Sequence, residues 1–212
     1  MKLIGMLDSP YVRRVAISMQ LLGLRFEHES VSVFRTFEQF QKINPVVKAP
    51  SLICDNGDVL MDSTLILEYA EALARPRKSL MPTAIPDLQR ALKVIGLGLA
   101  AAEKSVQIYY ESALRPADKQ HQPWLTRVTG QVLAAYAALE AEVAAHPLGA
   151  TGETIDQAGI TVAVAWHFTH DVLPGVVPAA THPALGRFAA MAEALPAFRA
   201  APHGAGTHRH AG

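Results

Sequence analysis

The sequence predicts a fold in two parts, an α/β domain followed by an all-helical one, and three observations predict it. Short apolar runs of strand length fall only within residues 2–61, interleaved with helical stretches. A stretch at 75–85 carries Pro76 and Pro82 among basic and small residues, and every periodic segment after it has helical spacing. Of the 212 residues 50% are hydrophobic and 18% charged, enough apolar side chain for one large core or two small ones, and too much for a disordered chain.

Taken in order, Lys2–Leu7 reads as a buried strand, and Ser9-Pro10 as an N-cap followed by proline at the first helical position. Val12, Val15, Ala16, Met19 and Leu22 then repeat at helical spacing up to Gly23. Residues 26–33 alternate loosely as a weak strand, and 34–43 form a short helix ending at Asn44-Pro45. Residues 51–54 and 59–61 flank Asp55-Asn56-Gly57-Asp58 as a β-hairpin, and Asp62-Ser63 caps a helix through Ile66, Tyr69, Ala70 and Leu73. The order is βαβαββα by residue 74.

The second part predicts helices over 86–115 and 124–145, one opened by residues 154–157 and running to about 171, and a last one over about 183–195, with Gly96 and Gly98 weakening the first. Thr154-Ile155-Asp156-Gln157 reads as a capping box opening a helix apolar on all sides, and such a helix belongs at the centre of its domain. The expected division is a first domain over 1–76, a linker over 77–85, a helical bundle over 86–200 and a mobile tail over 201–212.

Composition removes several function classes. With 19 basic and 19 acidic residues there is no basic excess for nucleic acid or an anionic membrane surface. Cys54 is the single cysteine, so neither an internal disulfide nor a four-thiolate zinc site can form, and a reducing, cytoplasmic setting is expected. The N-terminal apolar run is too short for a signal-peptide core, and the longest run, 94–102, is far below the roughly 18 residues that span a bilayer. His167, His170 and Asp171 share a helix face but lack a distant further ligand, and His203, His208 and His210 read as solvated, so no metal is expected.

Three motifs carry the chemistry: Ser9-Pro10-Tyr11-Val12-Arg13 after the first strand, residues 44–52 (Asn-Pro-Val-Val-Lys-Ala-Pro-Ser-Leu) before the third, and Asp62-Ser63 opening the third helix. In this order they resemble the cytosolic glutathione transferases, in particular serine-type members such as the tau and zeta types and small bacterial ones. The resemblance covers nearly the whole chain. It implies a thioredoxin-like first domain with an all-α helical bundle, glutathione as co-substrate with no cofactor, a hydrophobic small-molecule electrophile, and a homodimer.

The resemblance assigns roles that the residues alone leave open. A helix N-terminus stabilises an anion through unpaired N–H groups and the helix dipole. The resemblance makes Ser9 the donor to the glutathione thiolate; on the residues alone Ser9 is an N-cap. It implies a cis bond before Pro50, backbone pairing of Ala49 with the cysteinyl part of glutathione, and Lys48 at the glycyl carboxylate. Asp62 would take the γ-glutamyl ammonium and Ser63 its carboxylate; alone, the pair is a helix cap, as Lys48 is a solvated lysine. Leu7, Tyr11, Tyr109 and Tyr110 are candidates for the electrophile pocket, though each also reads as core. Val47 stands where many family members have Gly or His, Ala49 where Val or Ile is usual, and Gln157 where the second domain's capping box usually has Asp. A non-catalytic glutathione-binding or interaction module with the same fold is the alternative. Glutaredoxin-type thiol transfer would need a cysteine where Ser9 stands.

Overall fold

Strands β1 (Lys2–Ile4), β2 (Glu27–Glu29), β3 (Ser51–Ile53) and β4 (Val59–Met61) form one sheet in the order β2-β1-β3-β4. β1 runs parallel to β2 and antiparallel to β3, and β3 runs antiparallel to β4. With helices α1 (Pro10–Leu21), α2 (Phe37–Ile43) and α3 (Ser63–Ala74) the chain has the predicted βαβαββα order, the α/β arrangement of the thioredoxin-like class. The computed structural model describes residues 1–209 and parts the chain into two units, one of Met1–Leu80 joined by the segment from Ala194 onward, the other of Met81–Glu193.

The strands are shorter than their apolar runs for local reasons. Gly5 takes φ +134°, and an added Cβ would meet Val12 Cγ2 at 2.7 Å, so the chain leaves β1 there and passes close under α1. Ser32 delays α2: its Oγ accepts from Phe34 N and Arg35 N, and its own N–H donates to Thr36 Oγ1 at 2.8 Å, so helix begins at Phe37. Leu3, Leu7, Val12, Val15, Met19, Leu52 and Ile66 are fully buried, and Ile4, Val31 and Phe40 form a second cluster on which Val47 and Ala49 pack.

The second unit is helical throughout: α4 (Ile85–Tyr109), running on into a π-helical turn at Tyr110–Leu114, then α5 (Gln122–Ala145), α6 (Gln157–Val172) and α7 (Pro183–Glu193). Gly98, read as a weak point, is a point of close packing, because a Cβ there would lie 3.1 Å from Thr161 Cγ2 of α6. As its sequence predicts, α6 is the buried centre. Its buried Thr169 is matched: the Tyr136 hydroxyl donates to Ala165 O at 2.9 Å and lies 2.7 Å from Thr169 Oγ1, itself 2.8 Å from Ser105 Oγ. Burial pushes the Tyr136 phenol well above its ordinary range. His167 faces Glu193 at 3.4 Å, whereas His170 Nδ1 lies 2.9 Å from Trp166 O. Among the described residues no helix is long and apolar enough to cross a membrane.

Two expectations are corrected. The N-cap of α6 is Asp156, whose carboxylate accepts from Gly159 N at 2.8 Å, while Thr154 pairs with Thr151. The carboxylate supplies the cap, with no role for the Thr154–Gln157 box. The bundle does not extend to residue 200, nor is the segment after it a loose tail as far as it is described. Helix α8 (Pro196–Ala200) and residues 201–209 belong to the first unit, held by Arg13 and Gln20 of α1, whose side chains donate to Ala201 O at 2.8 Å and Ala197 O at 3.0 Å. His210 and the two residues after it lie outside the described residues.

Candidate active site

The candidate site is built on the first unit by two helix N-termini and the loop before β3. Ser9 caps α1 with φ −70° and ψ 124°, and its Oγ accepts from Val12 N at 3.4 Å. That is a long capping bond, and the hydroxyl proton has no partner within the described residues, so Ser9 keeps a donor to offer. An anion beside it would meet the hydroxyl and the positive end of α1 together.

At α3 the cap is Asp62, whose Oδ1 accepts from Thr64 N at 2.9 Å. Asp62 sits at φ +73°, a region that L-residues rarely adopt and that concentrates at ligand sites. Its Oδ2 lies 3.6 Å from Lys48 Nζ, both side chains about half exposed. An exposed pair of this kind contributes about 0–1 kcal/mol, so it orients Lys48 more than it stabilises the fold. Ser63, the first residue of α3, is buried, and its Oγ accepts from Arg14 Nη1 at 3.1 Å, leaving its own proton for a ligand.

Arg14 is the site residue that sequence reasoning missed. It is 3% exposed, bonds Ser63 Oγ and Thr64 Oγ1, and leaves Nε buried without a hydrogen bond. Burial lowers its pKa to about 10, opposed by Asp62, and it remains charged at neutral pH. The available signal was a second arginine inside the apolar repeat of α1.

The loop from 44 to 51 is organised by buried Asn44. Its Oδ1 accepts from Val46 N at 3.0 Å, its Nδ2 donates to Ser51 Oγ at 2.8 Å, and that hydroxyl donates to Lys48 O at 2.8 Å. Val47, noted where relatives carry Gly or His, has φ +53°, a conformation disfavoured for a β-branched residue. Packing on the Ile4–Phe40 cluster holds it there. The Ala49–Pro50 bond is cis. The loop passes beside β1, since a Cβ at Gly5 would be 3.2 Å from Ala49 Cβ.

Within the first unit these links tie Lys48 to Asp62, Ser63 to the helix that Ser9 caps, and Ala49 to the Gly5 turn after β1. Of the pocket candidates, Leu7 is fully buried and packs in the core, so it does not line an open pocket. Tyr11 is partly exposed in the first turn of α1. Tyr109 and Tyr110 lie in the second unit where α4 passes into its π-helical turn, ring centres 6.3 Å apart, with Tyr110 exposed.

Comparison with known proteins agrees with this geometry. Residues 3–78 match the model of the glutathione S-transferase N-terminal domain. An uncharacterized GST-like protein of Escherichia coli, YibF, is 29% identical over 60% of this chain and 62% of its own length. Glutathione S-transferase U3 of Arabidopsis thaliana is 38% identical over 33% of this chain and 32% of its own, so the chain spans less than two thirds of either curated relative. Among solved structures, a glutathione transferase family member from Pseudomonas fluorescens with bound S-(propanoic acid)-glutathione covers 100% of both chains at 27% identity and TM-score 0.76. A maleyl pyruvate isomerase of the zeta class shares the fold at 21% identity and TM-score 0.78, over 99% of this chain and 100% of its own. Residues 3–78 are thus a glutathione S-transferase N-terminal domain, and the whole chain has the fold of the glutathione transferases.

Asn44→Ala removes both organising bonds and leaves Val46 N and Ser51 Oγ short of partners. Urea unfolding of the full chain is expected to show a loss of about 2–4 kcal/mol. A loss below about 1 kcal/mol would mean the loop holds without it.

Proposed function

We propose that this chain is a glutathione transferase that holds glutathione as its thiolate at Ser9 and joins it to a small hydrophobic electrophile. The observation that carries this reading is the uncommitted Ser9 hydroxyl at the N-terminus of α1, within the part of the chain that matches the family model. Bound glutathione in the Pseudomonas fluorescens structures supports the ligand. In this reading Lys48 meets the glycyl carboxylate, the Ala49 backbone pairs with the cysteinyl part beside Pro50, Asp62 accepts from the γ-glutamyl ammonium, and Ser63 with the α3 N–H groups receives its carboxylate.

The chemistry follows from these positions. A free thiol of pKa about 8.5 is only a few per cent ionised at neutral pH. Lowering it by about two units needs about 2.7 kcal/mol of preference for the anion, within reach of one hydroxyl bond plus the helix N-terminus. The thiol proton passes to solvent, the sulfur forms a bond to the electrophilic carbon, and the displaced group leaves with the bonding pair, or the adduct takes a proton. Tyr11, Tyr109 and Tyr110 are the proposed electrophile contacts. No resident cofactor or metal enters this reaction.

A second reading, a glutathione-binding module without turnover, is favoured by the strained Val47 and small Ala49 in the loop that would hold the cysteinyl backbone. Ser9→Ala separates the two. With a generic aryl halide, the transferase reading expects the rate at about pH 7 to fall about 10- to 100-fold while the glutathione Kd rises only about fourfold, the part that the lost thiolate preference contributes at that pH. Equal losses in both would contradict the role of Ser9, and no turnover by the unaltered protein would favour the module.

We also propose a homodimer in a soluble, cytoplasmic setting. Leu65 and Leu73 of α3, and Ile85 and Leu92 of α4, remain exposed, apolar surface that a second copy would cover. Light scattering at micromolar concentration is expected to give twice the mass of one chain, and a single-chain mass would refute the pairing.

A further inference from the structure

The segment after α7 takes no part in the site described above, yet it reaches both flanks of Ser9. Arg13, whose backbone N–H donates to Ser9 O at 3.0 Å, stacks on Phe198 and donates through Nε to Ala201 O. His203 lies within electrostatic reach of Asp8, the residue before Ser9. The segment then follows the edge strand β2. Ser30 Oγ donates to Ala205 O at 2.8 Å, the His208 ring centre is 4.8 Å from that of Phe26, and Arg209 N closes onto Ala200 O at 2.7 Å.

His28 on β2 joins this segment to the loop that leads into Ser9. Its Nε2 is 2.7 Å from Gly5 O, and its Nδ1 is 2.9 Å from His208 N. A carbonyl can only accept and an amide N–H can only donate, so the ring is neutral with its proton on Nε2. A second proton on Nδ1 would face the His208 N–H and abolish that bond. We propose that His28 is a positioning residue: as neutral imidazole it clamps residues 200–209 against the β1–α1 loop, and on protonation it releases them. The consequence at Ser9 rests on the transferase reading; the clamp does not.

The charges around His28 do not replace this control. Glu27 and Glu29 flank it on β2, both within 4 Å of Lys2 on β1, at 3.5 and 3.7 Å, and Gln39 of α2 donates to Glu29. From the C-terminal segment His208 meets the ring through its backbone N–H, while His203 and Arg35 act on Asp8. Burial lowers the His28 pKa below 6.5, partly offset by the Gly5 carbonyl. The ring therefore binds a proton more readily when released than when clamped. The clamp is at full strength above about pH 6.5, weakens as pH falls through that value, and levels off below the clamped pKa. Between about pH 7.5 and 5.5 this linkage weakens the clamp by up to about tenfold.

Hydrogen exchange of the full chain, corrected for intrinsic rates, tests this in peptides 200–209 and 5–13. Protection in both is expected to fall together, severalfold and at most about tenfold, between about pH 7.5 and 5.5. In His28→Asn, whose side-chain oxygen still accepts from His208 N but does not titrate, the fall is expected to vanish. Constant protection in the unaltered protein, or the same fall in His28→Asn, would overturn the clamp, and a fall confined to 200–209 would overturn its link to Ser9. Should the variant not fold, ring nitrogen shifts of His28 in the unaltered protein decide: a proton on Nδ1 at about pH 7.5 overturns the proposal. Failure to bind glutathione at any pH would instead contradict the transferase reading and leave the exchange result standing.

Discussion

Arg14 carries a full charge inside the first unit, and the placement of its partners shapes the site. A buried guanidinium is tolerated only where its N–H groups meet acceptors and a counter-charge lies near. Ser63, Thr64 and the nearby Asp62 supply these, all from the first turn of α3. Since Arg14 sits one turn into the helix that Ser9 caps, satisfying it sets α3 against α1. The two helix N-termini, which offer the anion-binding N–H groups, are thereby held in one register on the sheet.

The loop before β3 fits between them at the expense of backbone comfort. Val47 and Asp62 both have positive φ, and neither is glycine. Such conformations persist only where the surroundings over-determine them. Asn44 does so for the loop, by bonding to Val46 and Ser51, and the Thr64 N–H does so for Asp62. Chemistry and strain thus coincide at the residues that face the ligand in the proposed reaction. The C-terminal segment adds a further tie, through Arg13 on one side of Ser9 and His28 with Gly5 on the other.

Much of the fold was legible because it rests on short-range signals. The βαβαββα order, the hairpin at Asp55–Asp58, the cap at Ser9 and the all-apolar α6 each follow from spacing or from turn and cap residues. What escaped depends on long-range partners. A buried Arg14 runs against the usual exposure of arginine, and only Ser63 and Thr64, about fifty positions away, make it tolerable. The segment 201–209 is Gly-, Ala- and His-rich and looks solvated, yet Arg13, His28 and Ser30 each hold it. At α6 two adjacent caps competed, and the carboxylate of Asp156 prevailed over Thr154. Within the site, the motif positions were readable, whereas the φ of Val47 was not, because nothing in a valine signals a left-handed backbone.

The most direct test of the account is the thiolate absorbance of glutathione bound to the purified protein, titrated with pH and compared with Ser9→Ala. The account predicts ionisation about two units below the free thiol in the unaltered protein and close to the free value in the variant. Binding with no such displacement, or one that survives removal of the hydroxyl, would contradict the claim that Ser9 and the N-terminus of α1 form the thiolate site.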